Sequence, residues 1–536
     1  MPAKNRLAFL GGVVFTADAR NSIAGGVYVE DGRVRAVGHA EEIVKAIPQG
    51  TQTIDIQGKT LVPGFMDAHN HMPFLGASLA GPDFGYPRVA SIGDLVKAVE
   101  ETAGQVAEGQ WIRGGGMDYG KYPEGRMPTR WDIDRASGGH PVSIGHVSGH
   151  FALVNSLALQ EAGIHDETPD PKGGKLVRDE KGRVTGMLLD AAMQVVERSE
   201  VDVGNHGPAL GYTASLDELV ENIEQACLAY HAAGITSVVD PQVTRREMPA
   251  YLEARRRGKL RVKTTCMFLS NHLVDVKALG LGGDLGDPWL SVGPMKFYCD
   301  GSLIGCTAAF YSPYENQPDN QGYTFWSPEE LKAILLDAHS FGLQVGIHTQ
   351  GDRAIDMVLD SLEEALRKHP REDHRHRIEH CGYPTDEQLE RIARLGIIPV
   401  NQPRYLYEVG DNFIANLGED RARRLIPMRS ELDLGIRIAL STDADVVSYE
   451  PLNTIEAAVT RVTLEGHDLG KEERITVGGA IRAYTIDAAH SVFQEKEKGS
   501  IEVGKAADLA LINGDLLNTP GEDISKLSVE MTVLDG

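Results

Sequence analysis

Hydrophobic positions alternate with polar ones at the start of the chain and change to a helical spacing further on. The segment 27–38, VYVEDGRVRAVG, alternates around Asp31-Gly32, a pair typical of a tight β-hairpin turn. From about Gly499 onwards, short apolar segments are again separated by glycine or aspartate. We therefore predict β-rich structure at both ends of the chain.

The middle of the chain repeats a different unit, in which a helix is followed at once by an apolar strand. Each helix starts at a capping box and ends at a glycine. Three clear cases start at Ser215, Ser327 and Thr385 and end at Gly234, Gly342 and Gly396. The first would place Leu216, Val220, Ile223 and Cys227 on one apolar face.

Helices that alternate with buried, branched strands predict an α/β fold with parallel strands. The number of units in 536 residues favours a (β/α)₈ barrel, similar to the TIM barrel, over an open sheet. In such a barrel, functional side chains lie at the C-terminal ends of the strands. We predict that residues 64–484 form this domain.

Composition and charge limit the classes of partner and the location that we expect for the protein. The formal net charge of −24 disfavours nucleic acid and anionic membranes as partners, so we expect a small-molecule substrate. The five cysteines are an odd number without a C-x-x-C pair, which predicts reduced thiols and a cytoplasmic location. Cys299 and Cys306 are interpreted as packing residues. The pattern shows no export signal or membrane span.

Candidate metal ligands follow several of the predicted strands. LVPGFMDAHNH ends in His69 and His71, which share one strand face because they are two residues apart. Three later strand-like runs end at His348, His380 and Asp443. Any one of these could be an ordinary structural residue, but four such strand ends in one barrel predict a metal site.

Lys296 lies inside the otherwise apolar strand GPMKFYCDG. A buried ammonium group is costly, so one interpretation pairs Lys296 with the nearby Asp300. The alternative is that burial deprotonates the lysine, which then adds carbon dioxide to become an anionic carbamate ligand. Periodicity alone leaves both open.

Together these residues resemble the metal-binding set of the amidohydrolase superfamily. The motifs KFYCDGSL, HTQGDRAID, RIEHC, STDAD, GHFALVNSLAL and TGMLLDAAM are similar to amidohydrolase family 3, the branch that includes N-substituted formamide deformylase-like proteins. The resemblance implies a small β-sandwich domain made of residues 1–63 and 485–536. A homodimer is compatible with it.

The resemblance also implies a binuclear centre. His69 and His71 would bind one divalent ion, His348 and His380 the other, and carboxylated Lys296 would bridge both, with Asp443 completing the first site. Zinc is the first expectation, and manganese, iron or cobalt would also suit these ligands. Two such ions would activate water for hydrolysis of a non-peptide carbon–nitrogen bond, N-formyl or N-acyl among them, with Asp443 as general base and acid.

Other functions remain open. A mononuclear deaminase of the same superfamily is disfavoured because His348 is followed by Thr349, Gln350 and Gly351 rather than by a His-x-x-Glu motif. An ester, lactone or phosphotriester hydrolase could use the same metals. From another class, an inactive ligand-binding relative is disfavoured by the complete ligand set. Related sequences often have an arginine where Cys306 stands, which implies a different substrate.

The spacing of the ligands predicts an insertion. The 225 residues between His71 and Lys296 exceed the roughly 94 that three barrel steps require. We place the surplus at residues 73–211, over the barrel mouth. We expect the aromatic residues of the insertion to form its own core: Trp111, Tyr119, Tyr122 and Trp131. The histidines His140 and His146 are expected to be structural. His150 and Asp300 are the predicted substrate contacts.

Overall fold

The computed structural model describes residues 5–147, 150–171, 174–197, 203–208, 214–283 and 285–536. Its elements are mixed α and β, as predicted. Among the described residues, no helix has the length and apolar character that crossing a membrane requires. The predicted end of the insertion at residue 211 lies outside the described residues.

Both ends of the chain contribute to one seven-stranded sheet. Strand Leu509–Ile512 pairs antiparallel with Thr60–Pro63 from the other end of the chain. The Asp31-Gly32 turn is confirmed, because both residues have positive φ angles between the strands that they join. The strands of this sheet are Arg6–Phe15, Ile23–Glu30, Arg33–Gly38, Gln52–Asp55, Thr60–Pro63, Leu509–Ile512 and Val529–Val533.

Two parallel sheets form the centre of the protein. Their strands are Phe65–Asp67, Ile235–Val243, Lys263–Phe268 and Leu290–Val292 in the first, and Met295–Tyr298, Val345–Thr349, Arg377–His380, Ile398–Asn401 and Ala439–Leu440 in the second. Two contacts join the sheets: the Ala68 amide donates to the Leu440 carbonyl at 3.3 Å, and Leu269, which follows strand Lys263–Phe268, bridges to Lys296. The C-terminal ends of these strands therefore face the same side.

Helices separate the strands, and the three predicted capping boxes are confirmed. Ser215, Ser327 and Thr385 each cap the helix that follows. Leu216 departs from the predicted apolar face, since it is the first helical residue and is exposed. The helices after residue 214 are Leu216–Ala232, Glu247–Arg256, Leu273–Leu279, Pro328–Ser340, Asp352–Lys368, Asp386–Leu395, Arg404–Glu408, Gly410–Leu417, Glu419–Ala422, Met428–Asp433, Pro451–Thr460, Val477–Ala483 and Ile486–His490.

A five-stranded sheet lies between the first two central strands in the sequence. Its strands are Ile112–Met117, Val142–His146, Phe151–Val154, Gly174–Arg178 and Val184–Asp190. It has its own apolar cores, which include Tyr122 and Phe151. The helices of the first part of the chain are Ala40–Ala46, Met72–Ala80, Ile92–Ala103, Arg130–Ile133, Ser156–Glu161 and Ala191–Glu197.

The terminal sheet is anchored to the central strands by a buried cation. Lys263 donates to both carboxylate oxygens of Asp508, at 2.9 and 2.7 Å, and to Asp535 at 2.6 Å. Lys263 and Asp508 are both buried, so breaking this contact would leave a charge without a partner. The sheet is thereby tied to the end of the central strands opposite His69.

Candidate metal centre

Two histidines and an aspartate converge at one end of the central strands. Asp443 Oδ1 lies 3.1 Å from His71 Nε2 and 3.4 Å from His69 Nε2. Backbone bonds fix this arrangement, because the Asp443 amide donates to the His69 carbonyl and the His71 amide to the Ala444 carbonyl. The three ligand atoms lie within 4.8 Å of one another, close enough to hold one cation.

His348 and His380 lie beside this trio. Their ring centroids are 4.5 Å apart, and His380 is 4.9 Å from His69. The Gly301 carbonyl lies 3.0 Å from His348 Nε2, and Gln402 Oε1 lies 2.8 Å from His380 Nδ1. Each ring thus has one nitrogen engaged by the protein.

Lys296 is fully buried beside these histidines. Within the described part of the chain its Nζ has no hydrogen-bond partner, and it lies 4.4 Å from the centroid of the Tyr298 ring. Burial lowers the pKa of Lys296 to about 8, so a substantial fraction of the amine is neutral under mildly alkaline conditions. A neutral amine is the form that can react with carbon dioxide.

The predicted pairing of Lys296 with Asp300 is wrong. The Asp300 carboxylate accepts hydrogen bonds from the backbone amides of Ala309, Gln350 and Gly351, at 2.8 to 2.9 Å. The strand ends before Asp300, so its side chain turns to the following loops rather than to the lysine. Asp300 is also not among the residues that line the cavity described below, and its role as a substrate contact stays a prediction.

Burial favours the neutral form of three imidazoles of the site, those of His69, His348 and His380. It lowers the pKa of His380 to about 4 and holds the pKa values of His69 and His348 well below their usual range, with nearby cationic groups acting in the same direction. Burial would raise the pKa of Asp443, but the neighbouring imidazoles outweigh it and lower that pKa. Neutral imidazoles and a carboxylate are the forms that bind metals.

Sequence reasoning missed the residues that orient this cluster. Glu379 Oε2 lies 2.6 Å from His69 Nδ1, and the fully buried Arg377 donates to both oxygens of Glu379 at 2.8 Å. Arg377 also donates to the Ala68 carbonyl at 2.7 Å. The alternation of Arg377 and Glu379 in RHRIEHC, two residues apart on one strand face, is the signal that could have indicated them.

Tyr405 is the second residue that was missed. Its hydroxyl donates to Asp443 Oδ2, on the side of the carboxylate away from His69 and His71. Tyr405 is buried and comes from a helix that follows strand Ile398–Asn401. Asp443 therefore has one oxygen fixed by Tyr405 and the other directed at the two histidines.

These residues fit a divalent cation. Lys296 Nζ and Asp443 Oδ1 are buried and lack hydrogen-bond partners among the described residues, which is costly without a further group between them. Imidazole nitrogen and carboxylate oxygen are ligands of zinc and of other divalent metals. The second nitrogen of His69 meets a carboxylate, as in many metal-ligating histidines.

A cavity of about 370 Å³ opens above the cluster. The insertion forms part of its wall through Gly114, Gly115, Gly116 and the histidines His146 and His150. The His150 ring lies 5.7 Å from that of His348, which places it beside the candidate ligands. His146 contacts the rings of Tyr119 and Phe151 and also reaches the cavity, so its position is more than structural.

A much smaller cavity, of about 20 Å³, also borders the cluster. It shares His150, His348, His380 and Asp443 with the large cavity. It also shares Val446. Its remaining wall consists of three apolar residues, Leu303, Ile304 and Phe413, and three polar ones, Ser302, Gln350 and Tyr405. The candidate metal centre thus borders both a large space and a very small one.

The other residues singled out in the insertion have different surroundings. Tyr119 and Tyr122 pack in its apolar core, as expected, and Trp111 packs partly against the neighbouring core. Trp131 is exposed and lies under the guanidinium groups of Arg130 and Arg183. His140 is structural, with its Nδ1 2.8 Å from the Gln110 carbonyl.

Comparisons with known proteins agree on one family. The model of the amidohydrolase family, Amidohydro_3, matches residues 52–536. The N-substituted formamide deformylase of Arthrobacter pascens is 32% identical, over 99% of this chain and 97% of its own length. The putative amidohydrolase YtcJ of Bacillus subtilis is 29% identical over 98% of both chains.

A solved structure has a similar fold. The crystal structure of an uncharacterized metal-dependent hydrolase from Pyrococcus horikoshii superposes with a TM-score of 0.76 and 26% sequence identity. The match covers 96% of this chain and 99% of that one.

Proposed function

Since this chain belongs to the amidohydrolase family and is a hydrolase of carbon–nitrogen bonds, we propose that it removes a formyl or other short acyl group from an amine. The observation that carries the proposal is the position of Asp443. This carboxylate points at two histidines and lines both the large and the very small cavity, and Tyr405 fixes its other oxygen.

The proposed centre holds two divalent ions, zinc in the first place. His69, His71 and Asp443 would hold one, His348 and His380 the other, and a carbamate on Lys296 would serve both. Bound metal would lower the pKa of a water molecule and polarise the substrate carbonyl. The unpaired Lys296 Nζ and the neutral histidines support this assignment.

Asp443 carries the proton in the proposed reaction. It accepts a proton from the attacking water, whose oxygen bonds to the carbonyl carbon, and then donates this proton to the nitrogen as the carbon–nitrogen bond breaks. The products are a carboxylic acid and an amine. Tyr405 keeps the carboxylate aimed at the reacting atoms, and Glu379 keeps His69 in one orientation.

The small cavity supports a short acyl group. A volume of about 20 Å³ is close to that of one water molecule, so a formyl hydrogen fits more easily than a longer chain. Leu303, Ile304 and Phe413 close this space with buried apolar side chains. The amine portion of the substrate would then occupy the large cavity, which is lined by both the central strands and the insertion.

The two parallel sheets support the predicted barrel. We propose that they act as one closed barrel, since the Ala68–Leu440 hydrogen bond and the Leu269–Lys296 bridge join them at two places. Closure would hold His69 and Asp443, which come from opposite ends of the strand order, at a fixed distance.

A hydrolysis screen on metal-replete protein tests this function. We expect turnover of N-formyl amines above N-acetyl amines, carbamates and cyclic amides, and loss of turnover after chelation with recovery on adding zinc. The Asp443→Asn variant is the matched control, because it should bind the same compounds without hydrolysing them. Full activity after complete metal removal, or hydrolysis of esters alone, would overturn the proposal.

A further inference from the structure

Asp445 is a cavity residue that the proposed reaction does not use. It lies two residues after Asp443 and lines the large cavity together with His71 and Ser78. Ser78, from helix Met72–Ala80, is a polar neighbour that favours the charged form of its carboxylate.

The wall near Asp445 includes the glycine segment 114–116 of strand Ile112–Met117. A Cβ atom added to Gly115 would stand 3.7 Å from Asp445 Oδ2 and meet no other atom within 4 Å. The same atom on Gly114 would collide with Phe84, and on Gly116 it would approach Gly85 at 3.1 Å. Only Gly115 therefore leaves space in front of the carboxylate, and a substrate group can enter there.

Asp445 also differs from Glu218, the other acid of the cavity wall that lies outside the candidate metal centre. Among the residues that the structure describes, Asp445 takes part in no ion pair, and Ser78 is a neutral neighbour. Glu218 instead caps helix Leu216–Ala232 by accepting from the Ser215 amide at 2.7 Å, and Arg113 acts electrostatically on it. The acceptor capacity of Glu218 is thus used by the protein, whereas that of Asp445 is directed at the cavity.

We propose that Asp445 determines specificity by accepting a hydrogen bond from an N–H or ammonium group in the amine portion of the substrate. This inference rests on the proposed function, because it assumes that the amine portion occupies the large cavity. A carboxylate that accepts from a charged donor forms a short and strong hydrogen bond. The preferred substrates would then be acylated amines with a second nitrogen donor near the scissile bond.

Ligand binding tests the role of Asp445 without requiring turnover. We would measure the Kd of benzylammonium and of benzyl alcohol by calorimetry on metal-loaded wild type, Asp445→Asn, Asp445→Ser and Glu218→Gln. Wild type and Glu218→Gln should bind the cation at least about tenfold more tightly than the alcohol. Both Asp445 variants should lose this preference, and the Ser variant provides the answer if the Asn variant does not fold.

Two outcomes would overturn the inference. One is equal affinity of wild type for the cation and the alcohol, and the other is a preference that survives in the Asp445 variants or disappears in Glu218→Gln. Hydrolysis of N-benzylformamide is measured separately. Its absence would count against the proposed function, while the binding preference would still decide the role of Asp445.

Discussion

His69 Nδ1 lies 2.6 Å from Glu379 Oε2, and both side chains are buried. Because Glu379 accepts from the protonated nitrogen, the other nitrogen of His69 is left as a lone pair facing Asp443 and His71. Arg377 prevents Glu379 from rotating away. Strand Arg377–His380, which supplies the candidate ligand His380, thereby also orients the candidate ligand His69 from a distant part of the chain.

Replacing Glu379 with glutamine should weaken metal binding about 10- to 100-fold. The amide cannot both accept from His69 and keep the two charged bonds to Arg377. Competition with a chromophoric chelator would measure the affinity. Glu431→Gln is the control, since Glu431 is equally buried but bonds to Asn401 instead. Unchanged affinity in Glu379→Gln would contradict the orienting role.

Replacing Lys296 with alanine should remove metal and activity together. The variant lacks the amine that would form the carbamate, and a short carboxylic acid such as acetate can enter the vacated space. We expect metal content and turnover to recover partly on adding acetate with zinc, and wild type to gain nothing. Elemental analysis gives the stoichiometry. Full metal content in Lys296→Ala without acetate would argue against a bridging lysine.

Replacing Asp443 with asparagine should lower kcat by about 10²- to 10⁴-fold, because the reaction loses its proton carrier. Much of the metal should remain, since four histidines and Lys296 are unchanged. Tyr405→Phe should cause a smaller fall in kcat with little change in KM. Stopped assays with elemental analysis would separate the two effects. Near-normal turnover in Asp443→Asn would refute its role.

Enlarging the small cavity should change the choice of acyl group. Ile304→Ala removes apolar volume from its wall, so the ratio of kcat/KM for N-acetyl over N-formyl substrates should rise about tenfold or more. Val274→Ala is the matched control, because Val274 is 77% exposed. Thermal unfolding would show that the variant is folded. A ratio that stays constant would place the acyl group elsewhere.

Lys498 provides a pH test of stability away from the candidate metal centre. It is buried and donates to Ser237 Oγ at 2.8 Å, and burial lowers its pKa to about 7. Its charged form is penalised only in the folded state. Each pH unit above this pKa should therefore raise the unfolding free energy by about 1.4 kcal/mol until the ordinary lysine pKa is reached.

Comparing wild type with Lys498→Met separates the effect of Lys498 on the pH dependence of stability from the effect of the buried cysteines and tyrosines. The difference in unfolding free energy between wild type and variant should rise in favour of wild type from pH 7 to pH 9, and should be flat below pH 6. Urea denaturation at several pH values would measure it. A difference that does not change with pH would show that Lys498 stays charged in the folded state over this range, contrary to its lowered pKa.

Local patterns predicted much of the fold. The capping boxes at Ser215, Ser327 and Thr385 were correct because a helix start depends on a few neighbouring residues. The convergence of His69, His348, His380 and Asp443 was also predictable, since parallel strands bring their C-terminal ends together. The predicted cytoplasmic location and homodimer remain predictions.

Contacts between distant strands could not be read from the sequence. Glu379 is 310 residues from His69 and Tyr405 is 38 residues from Asp443, so no local pattern links either pair. The prediction that Asp300 pairs with Lys296 failed for the opposite reason. The two residues are close in sequence, but three backbone amides bind the Asp300 carboxylate. The second cavity depends on packing of Ile304 and Phe413, which periodicity does not specify.

The pairing of Thr60–Pro63 with Leu509–Ile512 has a consequence for biosynthesis. On the ribosome, the first five strands of the terminal sheet emerge several hundred residues before their last two partners. Until then, one edge of the sheet has no partner strand, and an unpaired edge strand can pair with the wrong segment. Chaperone dependence during translation is therefore expected to concentrate on the earliest part of this polypeptide.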